Sequence, residues 1–314
     1  MANTEIQEQE SLKAQEPESL NDDDWKNLLK QISRGKCTPF IGTEACAGLY
    51  EMKTDRAKRW ADEEDFPLED RSDLARVAQF LAVRDREAKP IDKLIEEFEA
   101  ITPPNFKDAL EAHRALAELP LPIYITTNYD DFMKQAFKSL RMPRDVRREY
   151  CRWRKNRLPT EASIFSSDYQ PSVANPVVFH MYGHTDIPAS LVLTENDFLK
   201  FLVNVSSDQS LIPSLIQGAI AGGSLLFLGY RLDEWDFRIL FHTVASYLEN
   251  SLTQAHFIVM VVPVGENAPQ GRKEKAIKYL NLYFEKQNTR IYWGTCQKFI
   301  RELKTRWENS SYAK

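Results

Sequence analysis

The sequence is poor in cysteine: Cys37, Cys46, Cys151 and Cys296 stand far apart, with no C-x-x-C pair among them. That spacing excludes a zinc ribbon and gives no basis for a disulfide framework, so a reducing cytoplasm is the expected setting. Long apolar runs are also missing. No stretch approaches the roughly 20 residues that cross a bilayer, and mean hydropathy is -0.47. The opening MANTEIQEQESLKAQEPES is acidic and polar, unlike a secretory signal, so no membrane contact is expected. Nor is there a surplus of positive charge. With 41 Lys and Arg against 46 Asp and Glu, the net charge is -5 and the pI about 5.7. This balance argues against a surface built throughout for nucleic acid. No internal repeat and no linker interrupts residues 21–314.

What is present suffices for a large core: 314 residues, 43% hydrophobic and 28% charged, close to the average of folded proteins. Residues 1–20, rich in Glu and Gln without apolar period, read as a disordered acidic tail. Asn21 is suited to cap a helix whose first turn carries Asp22, Asp23 and Asp24 at the positive end of the helix dipole. Trp25, Leu28, Leu29 and Ile32 then recur at helical spacing as far as Gly35. CTPFIG (37–42) reads as a strand entering a turn, with a helix expected from Glu44. Residues 72–98 show helical faces broken at Pro90, and 105–118 also read as helix. Further strands are expected at Ile123–Thr127, Val177–Met181, Leu225–Tyr230, His256–Val262 and Arg290–Trp293. Helices are expected at 129–140, 195–205, 209–221, 235–249, 272–284 and 297–307. Apolar strands alternating with helices predict an α/β fold, a Rossmann-like, doubly wound and mostly parallel sheet in one domain over 21–314. A helical insertion at about 55–118 separates its first two strands.

In such a sheet, ligands bind beyond the carboxyl ends of the strands. The residues there are polar: Gly42-Thr43-Glu44-Ala45-Cys46, Thr126-Thr127-Asn128-Tyr129-Asp130-Asp131, Tyr182-Gly183-His184-Thr185-Asp186, and Gly229-Tyr230-Arg231-Leu232-Asp233. Each alone has a plainer reading. Asn128 or Asp130 can cap the following helix, Gly42 can serve a turn, and His180 and His184 can be structural histidines. Their convergence on one sheet edge favours a binding site.

The succession PFIG, ITTNYDD, VVFHMYGHTD, SLVLTENDF, LLFLGYRLDEWDFR and IYWG resembles the bacterial sirtuin-like domains of antiphage defence proteins, from about residue 25 onward. The resemblance implies a sirtuin fold without its zinc module and hydrolysis of NAD to nicotinamide and ADP-ribose, with NAD as substrate and no metal. The lack of paired cysteines agrees with this and speaks against deacetylation. By the same resemblance, Asn128 holds the nicotinamide ribose and orients the attacking water, with Asp130 or Asp131 as the acidic neighbour. Gly42, Thr43, Thr127, Tyr182 and Gly183 lie against the cofactor, and Gly229, Tyr230 and Arg231 beside its adenosine half. An oxocarbenium-like transition state gains from a nearby carboxylate or amide oxygen, and a base can activate water.

Two positions depart from the family. Gly42-Thr43-Glu44 stands where Gly-Ala-Gly is common, and Glu44 would repel a pyrophosphate unless it points away or is neutralised. Tyr182 stands where many relatives carry histidine. With an unperturbed pKa of ~10 it is a poor base at neutral pH, so His184 is the expected base and His180 the reserve. Strand alternation places His180 and Tyr182 on one face. Residues 141–157 (RMPRDVRREYCRWRKNR) are strongly basic with Tyr150 and Trp153 interleaved. They suit an interface or cofactor phosphates better than nucleic acid, which is expected only as a weak or indirect partner. A homo-oligomer or a regulatory ATPase or sensor subunit is the expected source of control. The alternatives are a divergent nucleotide-binding module without turnover, and an assembly subunit touching nucleic acid through 141–157.

Overall fold

The computed structural model describes residues 19–154, 162–232, 234–248, 254–265 and 268–313. The expected tail over 1–20 therefore lies outside the described residues except for its last two, as do Lys155, Asn156 and Arg157 of the basic segment and Asp233. The first helix, α1 (Asp22–Ser33), starts as its sequence dictates. Asn21 Oδ1 accepts from the backbone N–H of Asp23 and Asp24, both at 2.9 Å, and Asp24 accepts from Asn21 N–H at 3.2 Å, closing a capping box. Trp25, Leu28, Leu29 and Ile32 are buried, and the chain turns at Gly35 into the first strand.

The strands are β1 (Cys37–Ile41), β2 (Ile123–Thr126), β3 (Arg147–Tyr150), β4 (Val177–His180), β5 (Ser224–Leu228), β6 (His256–Met260) and β7 (Thr289–Trp293). They form a single parallel sheet in the order β3-β4-β2-β1-β5-β6-β7. The Rossmann-like α/β expectation holds, and the sheet is parallel throughout. Its apolar strands are buried because helices cover both faces. Phe40, Ile125, Phe179, Phe227 and Ile258 face α2 (Lys53–Glu63), α3 (Leu74–Arg84), α4 (Lys89–Glu99), α7 (Glu195–Ser207), α8 (Ser214–Gly222), α9 (Trp235–Leu248) and α10 (Gln270–Glu285). Ile41, Tyr124, Val178, Leu226 and Phe257 face α1, α5 (Ala112–Glu118), α6 (Phe132–Ser139) and α11 (Cys296–Glu308). No helix among the described residues is long and apolar enough to cross a membrane.

Several expectations change. In place of a helix from Glu44 there is a short 3-10 turn, Thr43–Cys46, and α2 starts at Lys53. Helix over 105–118 contracts to α5, and Pro213 divides 209–221 into a 3-10 turn and α8. Pro90 sits in the first turn of α4, where its missing N–H costs nothing. The basic segment supplies an unexpected edge strand, β3, paired in parallel with β4 at Tyr150 and His180. His180 and Tyr182 do not share a face. β4 ends at His180, and the Tyr182 ring turns into the core, 5.1 Å from Phe198 and 5.3 Å from Phe201 by centroids.

His256, buried in β6, accepts from Leu225 N–H through Nδ1 at 3.2 Å, and burial pulls its pKa down to about 4. Above pH ~6.5 the ring is neutral in both folded and unfolded chains. Below that the unfolded chain takes up the proton first, so stability falls as pH drops toward 4, by roughly 3 kcal/mol from this group. Denaturant midpoints between pH 7 and pH 4 should fall more steeply for the wild type than for His256→Gln. Equal slopes would remove His256 from the acid response.

Candidate active site

The chain leaves β1, turns back across the sheet after β4, and enters β5 on the other side of β1. The loops after β1 and β5 therefore meet at the reversal of strand order, where an open α/β sheet forms its crevice. They meet through backbone. Gly42 N–H donates to Leu228 O at 2.8 Å and Glu44 N–H to Gly229 O at 3.0 Å. A Cβ on Gly42 would lie 2.5 Å from Gly229 O, and one on Gly229, whose φ is +77°, would lie 2.4 Å from Ala45 N. Both positions require glycine, for loop contact and for a left-handed turn.

Asn128, just beyond β2, reaches into this junction. Its backbone N–H donates to Thr126 Oγ1 at 3.0 Å. Its Nδ2 donates to Gly42 O at 3.3 Å and Cys46 Sγ at 3.5 Å, and Oδ1 faces the Thr43 hydroxyl at 3.5 Å. Thr127 Oγ1 donates to Tyr230 OH at 3.2 Å, and the Tyr230 ring stacks on Phe237 at 4.9 Å. Gly42, Thr43, Thr127, Asn128, Gly229 and Tyr230 are thus brought together. Glu44 has Arg231 within 3.8 Å, which offsets its charge.

The acidic pair behind Asn128 divides. Asp130 is buried, and burial raises its pKa against the opposing pull of His113. Its Oδ1 accepts from Phe132 N–H at 2.9 Å and Oδ2 from Tyr50 OH at 3.2 Å, so it secures the start of α6. For Asp131, burial pushes upward, but the His184 hydrogen bond, Arg148 and Lys134 outweigh it and leave the carboxyl below its ordinary range.

A second group forms where β3 and β4 end. Arg148 Nη1 lies 2.9 Å from His184 Nε2 and 3.2 Å from Asp131 Oδ1, while Nη2 donates to Asp186 at 2.7 Å. His184 Nδ1 accepts from Asp186 N–H at 3.0 Å. A neutral imidazole has one lone pair, and at His184 it is already taken. His180 packs edge-on against His184 at 4.7 Å, with Nδ1 3.3 Å from Asn128 O. Facing a carbonyl, Nδ1 carries the proton, which leaves Nε2 as a buried acceptor without a hydrogen-bond partner among the described residues. Burial first, then the neighbouring His184 and Arg148, hold His180 well below the ordinary histidine range, so it is neutral at pH 7. Asp131, His180 and His184 each offer an atom within 4.8 Å of the others, as a metal would require. The Arg148 guanidinium sits between two of them, so a cation fits only if it withdraws. Gly183 packs on Ser190, and Tyr182 stands apart in the core.

Beside the junction lies a cleft of about 880 Å³, lined by Lys53, Arg76, Tyr129, Glu195, Arg231 and Glu234 among others. Tyr129 and Arg231 reach it directly, whereas Asn128, His180 and His184 are buried. Within the basic segment, Arg152 pairs with Glu149, Arg154 with Asp197, Arg147 with Asp145, and Tyr150 and Trp153 are buried. Those two rings therefore offer no stacking surface for bases. Tyr50, Glu111 and His113 belong to no motif legible in the sequence, and Arg148 is marked there only as one of the basic residues of 141–157.

A parallel sheet with polar loops converging on a buried asparagine and histidine pair beside a cleft defines a Rossmann-like domain with a candidate ligand site. The SIR2-like domain description matches residues 122–291, more than half the sequence, and the chain belongs to that family. It is similar to curated proteins named NAD(+) hydrolase ThsA. The Cytobacillus dafuensis protein is 25% identical over 216 residues, 67% of this chain and 38% of that protein. The Enterococcus faecium protein is 24% identical over 170 residues (52% and 31%), and that of Acinetobacter baumannii (strain 532279) 20% over 234 (74% and 44%). The chain spans less than half the length of these relatives.

The loop contact can be tested directly. Gly229→Ala must combine a positive φ with a clash on Ala45, and should lower unfolding free energy by at least ~2 kcal/mol in urea titrations. An unchanged midpoint would mean the two loops part freely.

Proposed function

We propose that the chain is an NAD+ glycohydrolase of bacterial antiphage defence, cleaving NAD+ to nicotinamide and ADP-ribose. The observation that carries this reading is the placement of Asn128 at the β1–β5 loop junction, next to the cleft lined by Tyr129 and Arg231. The names of the ThsA relatives support the substrate.

In this reading Asn128 Oδ1 and the Thr43 hydroxyl hold the nicotinamide ribose as the N-glycosidic bond lengthens. The bond's electron pair leaves with neutral nicotinamide, and positive charge grows on the ribose carbon. Water adds to that carbon and gives up one proton. His180 receives the water better than His184, because its Nε2 is an open acceptor while the lone pair of His184 is engaged. Arg231 and Lys53 face the pyrophosphate, and Arg231 also offsets Glu44. No metal takes part, Arg148 being the resident cation between Asp131 and His184. Residues 21–314 act as one domain in the cytoplasm, with the helices at about 55–118 walling the cleft. Because the buried site needs opening, control comes from homo-oligomer formation or from a regulatory ATPase or sensor subunit. Nucleic acid is no direct ligand.

Purified chain, alone and with its genomic-neighbour proteins, should release nicotinamide from NAD+. Asn128→Ala should cut the rate on the order of a hundredfold, and His180→Ala by a comparable factor, with His184→Ala milder. A greater loss for His184→Ala than for His180→Ala would reverse the two histidines. The same burial also favours a nucleotide-binding module without turnover. Calorimetric binding of NAD+ and ADP-ribose with no nicotinamide release under any of these conditions would establish that second reading.

A further inference from the structure

From the Nδ2 end of the Asn128 side chain runs a line of polar groups that the proposed reaction does not use. Glu111, whose backbone precedes α5, sets Oε1 2.7 Å from His113 Nδ1. His113 Nε2 lies 3.7 Å from Cys46 Sγ, and Cys46 Sγ accepts from Asn128 Nδ2 at 3.5 Å. His113, Cys46 and Asn128 are all buried, with 1%, 0% and 4% of their surface exposed.

The direction of each bond follows from the chemistry. A carboxylate only accepts, so His113 Nδ1 carries a proton toward Glu111. Burial alone would depress the histidine, but Glu111 outweighs it and raises the pKa. Burial would raise Glu111, and His113 outweighs that in turn. The fixed imidazole holds the sulfur in place. Cys46 is not a nucleophile here, since burial first and Asp130 next push its thiol well above its ordinary value. The sulfur serves as an acceptor. The Asn128 amide has two N–H bonds: one goes to Gly42 O, and the sulfur takes the other.

We infer that Glu111, His113 and Cys46 form a positioning relay that fixes the rotation of the Asn128 carboxamide, directing Oδ1 toward the Thr43 hydroxyl. The inference rests on the role of Asn128 proposed above, and none of the three relay residues touches substrate. Removing the sulfur leaves one buried N–H without an acceptor and frees the amide to turn.

Two readouts test it on the full chain. The side-chain amide signals of Asn128, assigned by their loss in Asn128→Asp, should shift in Cys46→Ala and Glu111→Gln and return toward wild-type positions in Cys46→Ser, which keeps an acceptor. In nicotinamide release, Cys46→Ala should lower kcat roughly tenfold to a hundredfold with KM unchanged, and Cys46→Ser should restore much of it. A purely structural role would lower thermal stability without this split or rescue. Unmoved amide signals in Cys46→Ala overturn the relay whatever turnover shows. If Cys46→Ala does not fold, the same criterion applies to Glu111→Gln. Shifted signals with full turnover in Asn128→Asp would keep the relay and discard the catalytic role of Asn128.

Discussion

The junction of the β1 and β5 loops is the constraint on which the rest of the site depends. Gly42 and Gly229 approach so closely that neither admits a Cβ, and two backbone hydrogen bonds, Gly42 to Leu228 and Glu44 to Gly229, join their loops. Gly42 O, fixed by that contact, then accepts from Asn128 Nδ2. Thr43 and Cys46 follow in the same short turn, so one rigid backbone segment presents three partners to a single amide. Tyr230, beyond Gly229, ties the same junction to Thr127. A glycine-rich loop is commonly understood as room for phosphate. Here the two glycines make room for each other, and the neighbouring cleft lies to the side, lined by Tyr129 and Arg231.

Charge is arranged with similar economy. Glu44, which would oppose an anionic ligand, lies beside Arg231. Arg148 binds Asp131 and Asp186 and covers the His184 ring. Lys53 sits 3.7 Å from Glu234. Positive groups near the cleft are therefore paired with carboxylates, and an incoming pyrophosphate would have to exchange with these partners. Asn128 and both histidines are themselves buried, behind the cleft lined by Tyr129 and Arg231.

Much of this was legible in sequence, and the exceptions have identifiable causes. The six strands buried in the sheet or packed along its apolar edge announce themselves as apolar runs. β3 does not: Arg-Arg-Glu-Tyr has no apolar run, and only Tyr150 and Glu149 turn inward, Glu149 being satisfied by the Ser163 hydroxyl at 2.6 Å. Asn21 predicted its helix because capping is local. The face shared by His180 and Tyr182 failed because alternation stops where a strand stops, and Gly183, with φ of +86°, follows at once. Asn128, Gly42 and Gly229 were legible as strand-end residues. His113 was not, since its partner Cys46 is 67 positions away and only the packing of α5 joins them.

The missed strand has a further effect. β3 and β7 are the two margins of the sheet, where unpaired N–H and C=O groups invite another chain to add on. Both margins carry arginine: Arg147 and Arg148 on β3, Arg290 on β7. A strand arriving at either would have to desolvate a guanidinium or break its carboxylate pair. The basic segment thus guards the β3 margin against growth by strand addition, as Arg290 does at β7.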